Sequence, residues 1–93
     1  MILEVAILNI KEGLSSDFES AFKEASSILT TMKGYASHQL KTCIEIDGQY
    51  MLLVNWETLE DHEIGFRESP EYGKWKKLLH HFYEPFPKVL HYA

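Results

Sequence analysis

Residues 2–10 (ILEVAILNI) constrain this chain more than any other stretch. Apolar, partly β-branched side chains fall at odd and even positions alike. A strand of that kind is buried on both faces. Lys11-Glu12-Gly13 ends the run. Glu4 interrupts it and no basic segment precedes it, so it reads as a strand and not as a signal peptide. No apolar stretch approaches the roughly 18 residues of a membrane helix, so no membrane association is expected.

The remaining elements follow with short turns. Ser16 is expected to open a helix, because Ser16-Asp17-Phe18-Glu19 fits the S-x-x-E capping box. Phe18, Ala21, Phe22, Ala25, Ile28, Leu29 and Met32 form its apolar stripe, and Gly34 suits the left-handed residue that closes it. Residues 37–46 and 50–56 read as two strands joined at Asp47-Gly48, a two-residue hairpin signal. That turn pairs Ile44 with Met51, Thr42 with Leu53 and Leu40 with Asn55. It places these residues and His38 on the helix-covered face, and Lys41, Cys43, Glu45, Leu52, Val54 and Trp56 on the other. A second helical stretch starts at Thr58 and restarts with Ser69 as cap and Pro70 at the first helical position. Tyr72, Trp75, Leu78, Leu79 and Phe82 give its stripe, Pro85 and Pro87 end it, and Val89 to Tyr92 form a last strand. The order is β-α-β-β-α-β: one α+β domain over residues 1–93, ferredoxin-like, with a four-stranded antiparallel sheet.

Both helices of such a unit cover the same sheet face. Residues 2–8 and 50–56 are apolar on both, so the second face needs a cover, and a second copy of the chain is the simplest one: a homodimer is expected. Trp56 then reads as dimer core. Cys43 is the single cysteine, which excludes an intrachain disulfide and a four-cysteine zinc site and fits a reducing cytoplasm. A net charge of −5, with no basic cluster beyond Lys74, Lys76 and Lys77, makes nucleic acid an unfavourable partner.

With the elements placed, the chain resembles the antibiotic biosynthesis monooxygenase (ABM) family. The resemblance is carried by Trp56-Glu57-Thr58-Leu59-Glu60-Asp61-His62, by Phe66-Arg67-Glu68-Ser69-Pro70-Glu71-Tyr72-Gly73-Lys74-Trp75, and by the aromatic and proline run ending at His91-Tyr92. It implies a dimeric α+β barrel with a pocket in each subunit between sheet and helices. It implies no single chemistry, because the family includes cofactor-free oxygenases of quinol-like aromatics, haem-degrading enzymes, small-molecule isomerases and members without known activity. Many members resemble His-x-x-Ser-Pro where this chain has Phe66, and His62 lies one turn earlier. The Asn, Trp and His of the haem-degrading branch fall on Ala6, Gly65 and Trp75, which speaks against haem degradation.

No dinucleotide fingerprint or phosphate-binding loop is present, so no cofactor is expected. No histidine pair has i, i+4 spacing, and His80 and His81 project about 100° apart, so no metal is expected either. Such an enzyme leaves the redox work to an electron-rich substrate and supplies a dry pocket, a base and hydrogen bonds to an oxyanion. The residues expected to do so are His62 as proton acceptor and Asn55 with His38 as hydrogen bonders. Phe66, Tyr72 and Trp75 are expected to form the wall against a small aromatic ligand. The resulting expectation is a cofactor-independent monooxygenase. The alternatives are a non-catalytic ligand-binding or stress-response dimer, or an isomerase working by proton transfer alone.

Overall fold

The N-terminal run forms β1 (Ile2–Asn9), inside a four-stranded antiparallel sheet. The structure, a computed structural model, describes residues 1–93. On one side β1 pairs along its whole length with β3 (Gln49–Trp56), and on the other with β4 (Val89–Tyr92). β2 (Tyr35–Thr42) lies on the outer edge of β3, giving the order β2-β3-β1-β4. Two helices, α1 (Ser15–Leu29) and α2 (Pro70–Leu79), complete the βαββαβ order expected from the sequence.

Alternation sorts β1 into two sets. Glu4, Ala6, Leu8 and Ile10 turn under the helices and are buried. They meet Phe18, Phe22, Ala25 and Leu29 of α1 and Trp75 and Leu79 of α2 in one continuous core. Leu3, Val5 and Ile7 project from the opposite face with their partners Met51, Leu53, Leu90 and Tyr92. No helix covers that face: Met51 is 39% exposed, Leu90 44% and Tyr92 52%. The strand is therefore apolar on both sides, as its sequence implies.

The hairpin corrects the expected register. Leu40 pairs with Leu52 and Thr42 with Tyr50, so the alignment slides by three residues along β3. A type I′ two-residue turn needs positive φ at both central positions, but Asp47 does not adopt it and only Gly48 does, at +76°. The connection is instead the longer loop 43–48. It is tied by Cys43 N–H to Gln49 O (2.9 Å) and by Ile10 N–H to Gly48 O (2.9 Å). An odd slide exchanges the faces of β3 relative to β2. Tyr50, Leu52, Val54 and Trp56 turn inward, burying two aromatic rings that the expected register would have left outside.

The capping box is a second correction. α1 starts at Ser15 with Leu14 before it, and no side chain caps it. Glu19 accepts a hydrogen bond from the Tyr50 hydroxyl on β3 instead of folding back onto its own helix. The second cap holds: Ser69 Oγ accepts the Tyr72 amide at 3.2 Å with Pro70 at the first helical position. Gly34, at φ +84°, sits in the turn leading into β2, where a β-carbon would overlap the Asp61 carboxylate.

Candidate active site

Between the inner sheet face and α2 the chain encloses a cavity of about 430 Å³. That is within the range of small-molecule sites. Leu52 and Val54 form part of its floor, Phe66, Tyr72 and Trp75 a wall, and Phe86 and Pro87, from the strap leading into β4, another side. Phe66 packs edge-on to both Tyr72 and Trp75, with ring centroids 5.2 and 5.6 Å apart. The apolar stripe that holds α2 to the sheet thus also shapes the cavity.

The segment Asp61–Phe66 ahead of α2 is π-helical, closed by the Arg67 amide on His62 O at 3.1 Å. The wider turn brings His62 and Phe66 inward together, and both are buried. His62 stacks on Trp56, ring centroids 5.3 Å apart and planes 20° apart. Its Nε2 lies 3.3 Å from Glu4 Oε1, and its Nδ1 2.8 Å from His91 Nε2. Trp56 Nε1–H donates to the same Glu4 oxygen at 3.0 Å. Beyond it, His91 Nδ1 is 3.7 Å from Glu63 Oε1. The four elements involved are β1, β3, the π-helical turn and β4, and β1 is the hub: Glu4 pairs with Val54 on one side and His91 on the other.

Burial sets the charge states. It pushes the Glu4 carboxyl above its ordinary value, against the opposing pull of the Trp56 N–H and Arg67. It lowers His62 to about 3, aided by Arg67 and His91, so this imidazole is neutral at pH 7. The Glu4–His62 contact is therefore between a carboxyl group and a neutral ring, not an ion pair. Tyr83 is pushed up by burial and then by Tyr72 and Glu4, which keeps its phenol protonated. His80 is lowered by burial and by Lys76. Tyr72 and Tyr83 both line the cavity, together with His62. No three His, Cys, Asp or Glu side chains converge in a metal-holding arrangement.

Of the residues singled out from sequence, His62, Phe66, Tyr72 and Trp75 come together at this cavity. Asn55 and His38 do not. The slide in register turns Asn55 to the open face, where it donates to Ser37 Oγ at 3.1 Å. His38 faces the helices but stands on the edge strand, bonded to the Tyr35 hydroxyl at 2.7 Å and packed against Phe22, outside the cavity lining. Trp56, expected at a dimer interface, is fully buried in the core of a single chain. Sequence reasoning missed Glu4, Arg67, His80 and Tyr83 in the lining, and His91 behind it. Glu4 carried a legible signal, because it is the one charge in β1 and shares the parity of Ala6, Leu8 and Ile10.

Comparison with known proteins agrees with this architecture. The family model for antibiotic biosynthesis monooxygenases matches residues 1–78. The uncharacterised protein YczJ of Bacillus subtilis is 56% identical over 92 residues, spanning 99% of this chain and 97% of its own. The crystal structure of a candidate antibiotic biosynthesis monooxygenase from Bordetella bronchiseptica superimposes with a TM-score of 0.94 at 30% identity, covering 99% of this chain and 94% of that one. SnoaB, a cofactor-independent oxygenase from Streptomyces nogalater, shares the fold at a TM-score of 0.86 and 15% identity, over 99% and 90% of the two chains. The chain belongs to the antibiotic biosynthesis monooxygenase family.

Proposed function

We propose that this protein is a cofactor-independent monooxygenase acting on a small aromatic, quinol-like substrate. The observation that carries the reading is the aromatic-walled cavity with a buried, neutral His62 paired to Glu4 at one side. Removing a proton from a hydroquinone or anthrone gives an electron-rich anion that reacts with O₂ directly. For an anthrone methylene, one oxygen atom becomes the new carbonyl and the other leaves as water, the substrate supplying all four electrons. The protein has to exclude bulk water, hold the ring, take the proton and stabilise the oxyanion. Phe66, Tyr72 and Trp75 hold the ring, the Glu4–His62 pair handles the proton, and the phenols of Tyr72 and Tyr83 donate to the oxyanion in place of Asn55. SnoaB, with the same fold, is described as a cofactor-independent oxygenase, which supports this reading without naming a substrate for this chain.

The test is oxygen consumption by the purified, metal-free protein against hydroquinones and anthrones with no cofactor added. Protein-dependent uptake that drops about ten-fold or more in His62→Ala supports the reading. Uptake unchanged in His62→Ala removes the proton-handling role of this residue. An isomerase reading uses the same proton chemistry and predicts substrate rearrangement without uptake.

The same reading includes a homodimer joined through the open sheet face around Val5, Leu53 and Leu90. Exposed apolar patches of that kind are interaction sites or aggregation hazards. No helix is long and apolar enough to cross a membrane, and the single cysteine suits a reducing cytoplasm.

A further inference from the structure

Glu4 is an expensive residue to keep. A carboxyl group 7% exposed in the centre of a sheet costs free energy unless its oxygens find partners. Both of its close polar contacts, from Trp56 Nε1 at 3.0 Å and His62 Nε2 at 3.3 Å, are made with Oε1. No protein group hydrogen-bonds Oε2, yet no buried side-chain oxygen or nitrogen in the chain is left without a partner. Oε2 is therefore not sealed off, and Glu4 lines the cavity. Behind it runs a series of titratable groups with rising exposure. His62 is buried, the His91 side chain is 17% exposed and that of Glu63 is 45% exposed, with gaps of 3.3, 2.8 and 3.7 Å between successive atoms. Each histidine presents one ring nitrogen inward and the other outward. An imidazole so placed can take a proton at one nitrogen while releasing one from the other. Arg67 is the cation whose charge acts on both Glu4 and His62, favouring the ionised carboxylate and the neutral ring.

We propose that Glu4 is the group that takes the proton from the cavity ligand, at Oε2, and that His62, His91 and Glu63 carry it to solvent. The step breaks one ligand C–H bond and forms the Glu4 O–H bond, leaving the electron pair on the ligand as a delocalised anion. Rotation of the carboxyl then brings that proton to face His62 Nε2, which accepts it as His62 Nδ1–H passes to His91 Nε2 and His91 Nδ1–H passes through Glu63 to water. Trp56 is the positioning residue for the carboxylate, donating Nε1–H to Oε1, and His62 enters the relay as the tautomer with its proton on Nδ1. The carboxyl is the better acceptor of the two. Its proton affinity is raised, whereas that of His62 is depressed far below the working pH, where a base is inefficient. This inference rests on the proposed cavity chemistry for its ligand class but not on any reaction with oxygen.

The test uses anthrone as probe, in D₂O under nitrogen, following deuterium entry at its methylene carbon. The wild-type protein is expected to accelerate exchange, Glu4→Gln to lose about a hundred-fold or more, and Glu4→Asp to recover part of it. His91→Ala is expected to lose about ten-fold and to be restored by added free imidazole, which a merely structural defect would not be. Near-UV circular dichroism of Glu4→Gln checks that the Trp56 environment survives. If that signal is lost, the Glu4→Asp comparison carries the test, and exchange at the wild-type rate there would overturn the assignment. Exchange that persists in folded Glu4→Gln, or no protein-dependent exchange at all, overturns the role of Glu4. Loss in His91→Ala without imidazole rescue overturns the relay. Glu4-dependent exchange with no oxygen uptake in air would keep Glu4 and remove the oxygenase reading. Uptake with exchange independent of Glu4 would do the reverse.

Discussion

The two faces of the sheet are built from the same strands and differ in almost every other respect. Inward, β1 contributes Glu4, Ala6 and Leu8 to a largely buried layer in which a carboxyl group, an indole and two imidazoles touch. Outward, one residue along in each case, it presents Leu3, Val5 and Ile7, with Met51, Leu53 and Leu90 beside them and nothing above. Polar groups are thus concentrated where water is excluded, and apolar ones remain where a single chain leaves them wet. Stability alone would favour the opposite arrangement. On the proposed reading the inward face serves chemistry, and the outward face contact with a second copy.

The largest effect is expected from breaking the outward face. Val5→Asp puts a charge between Leu53 and Leu90. If that face joins two copies, mass by light scattering at micromolar concentration falls from about twice 10.8 kDa to the single-chain value. A wild-type protein already at the single-chain mass would remove the dimer. On the inward face, Trp56→Phe takes the Nε1–H donor from Glu4 and leaves a small void. Denaturant unfolding is expected to show a loss of about 2–4 kcal/mol. Gly34→Ala, away from both faces, forces a side chain into a left-handed turn against Asp61 and is expected to cost about 1–3 kcal/mol.

The pH dependence sharpens the inward side further. His62 is lowered from 6.5 to about 3, so the folded state binds fewer protons than the unfolded one between those values. Its contribution to stability is full above pH 6.5 and is lost as pH falls toward 3. Glu4 has the opposite sign: its raised value makes the fold most favoured when it is protonated, with stability declining as pH rises above its unfolded value of 4.5. His62→Phe, which keeps the stacking on Trp56, is expected to reduce the acid-side loss of stability. Glu4→Gln is expected to steepen the net rise between pH 4.5 and 6.5.

Much of the fold was legible because it rests on local signals. The two-sided run at residues 2–10, the Ser69-Pro70 cap and the strand at Val89 to Tyr92 all stand where their residues put them. Helical spacing placed Tyr72 and Trp75 together on α2, whereas Phe66, in the separate turn before it, was singled out from the stretch that carries the family resemblance. What failed depended on register or on distant partners. Asp47-Gly48 suggested a tight turn that Asp47 does not make, and the resulting slide exchanged Asn55 and Trp56 between faces. The contact between His62 and His91 spans 29 positions in sequence, and no periodicity announces it. Glu4 read as an interruption in an apolar strand, although its parity with Ala6 and Leu8 pointed inward.

The most direct test of this division of labour is to map where an aromatic ligand binds. Amide and side-chain chemical shifts would be followed by NMR while 2-naphthol is titrated into the wild-type protein. The account predicts that Phe66, Tyr72, Trp75 and Val89 shift, while Val5, Leu53 and Tyr92 stay in place. Shifts centred on Val5, Leu53 and Tyr92, with the cavity residues unmoved, would show that the ligand site lies on the outward face and would contradict it.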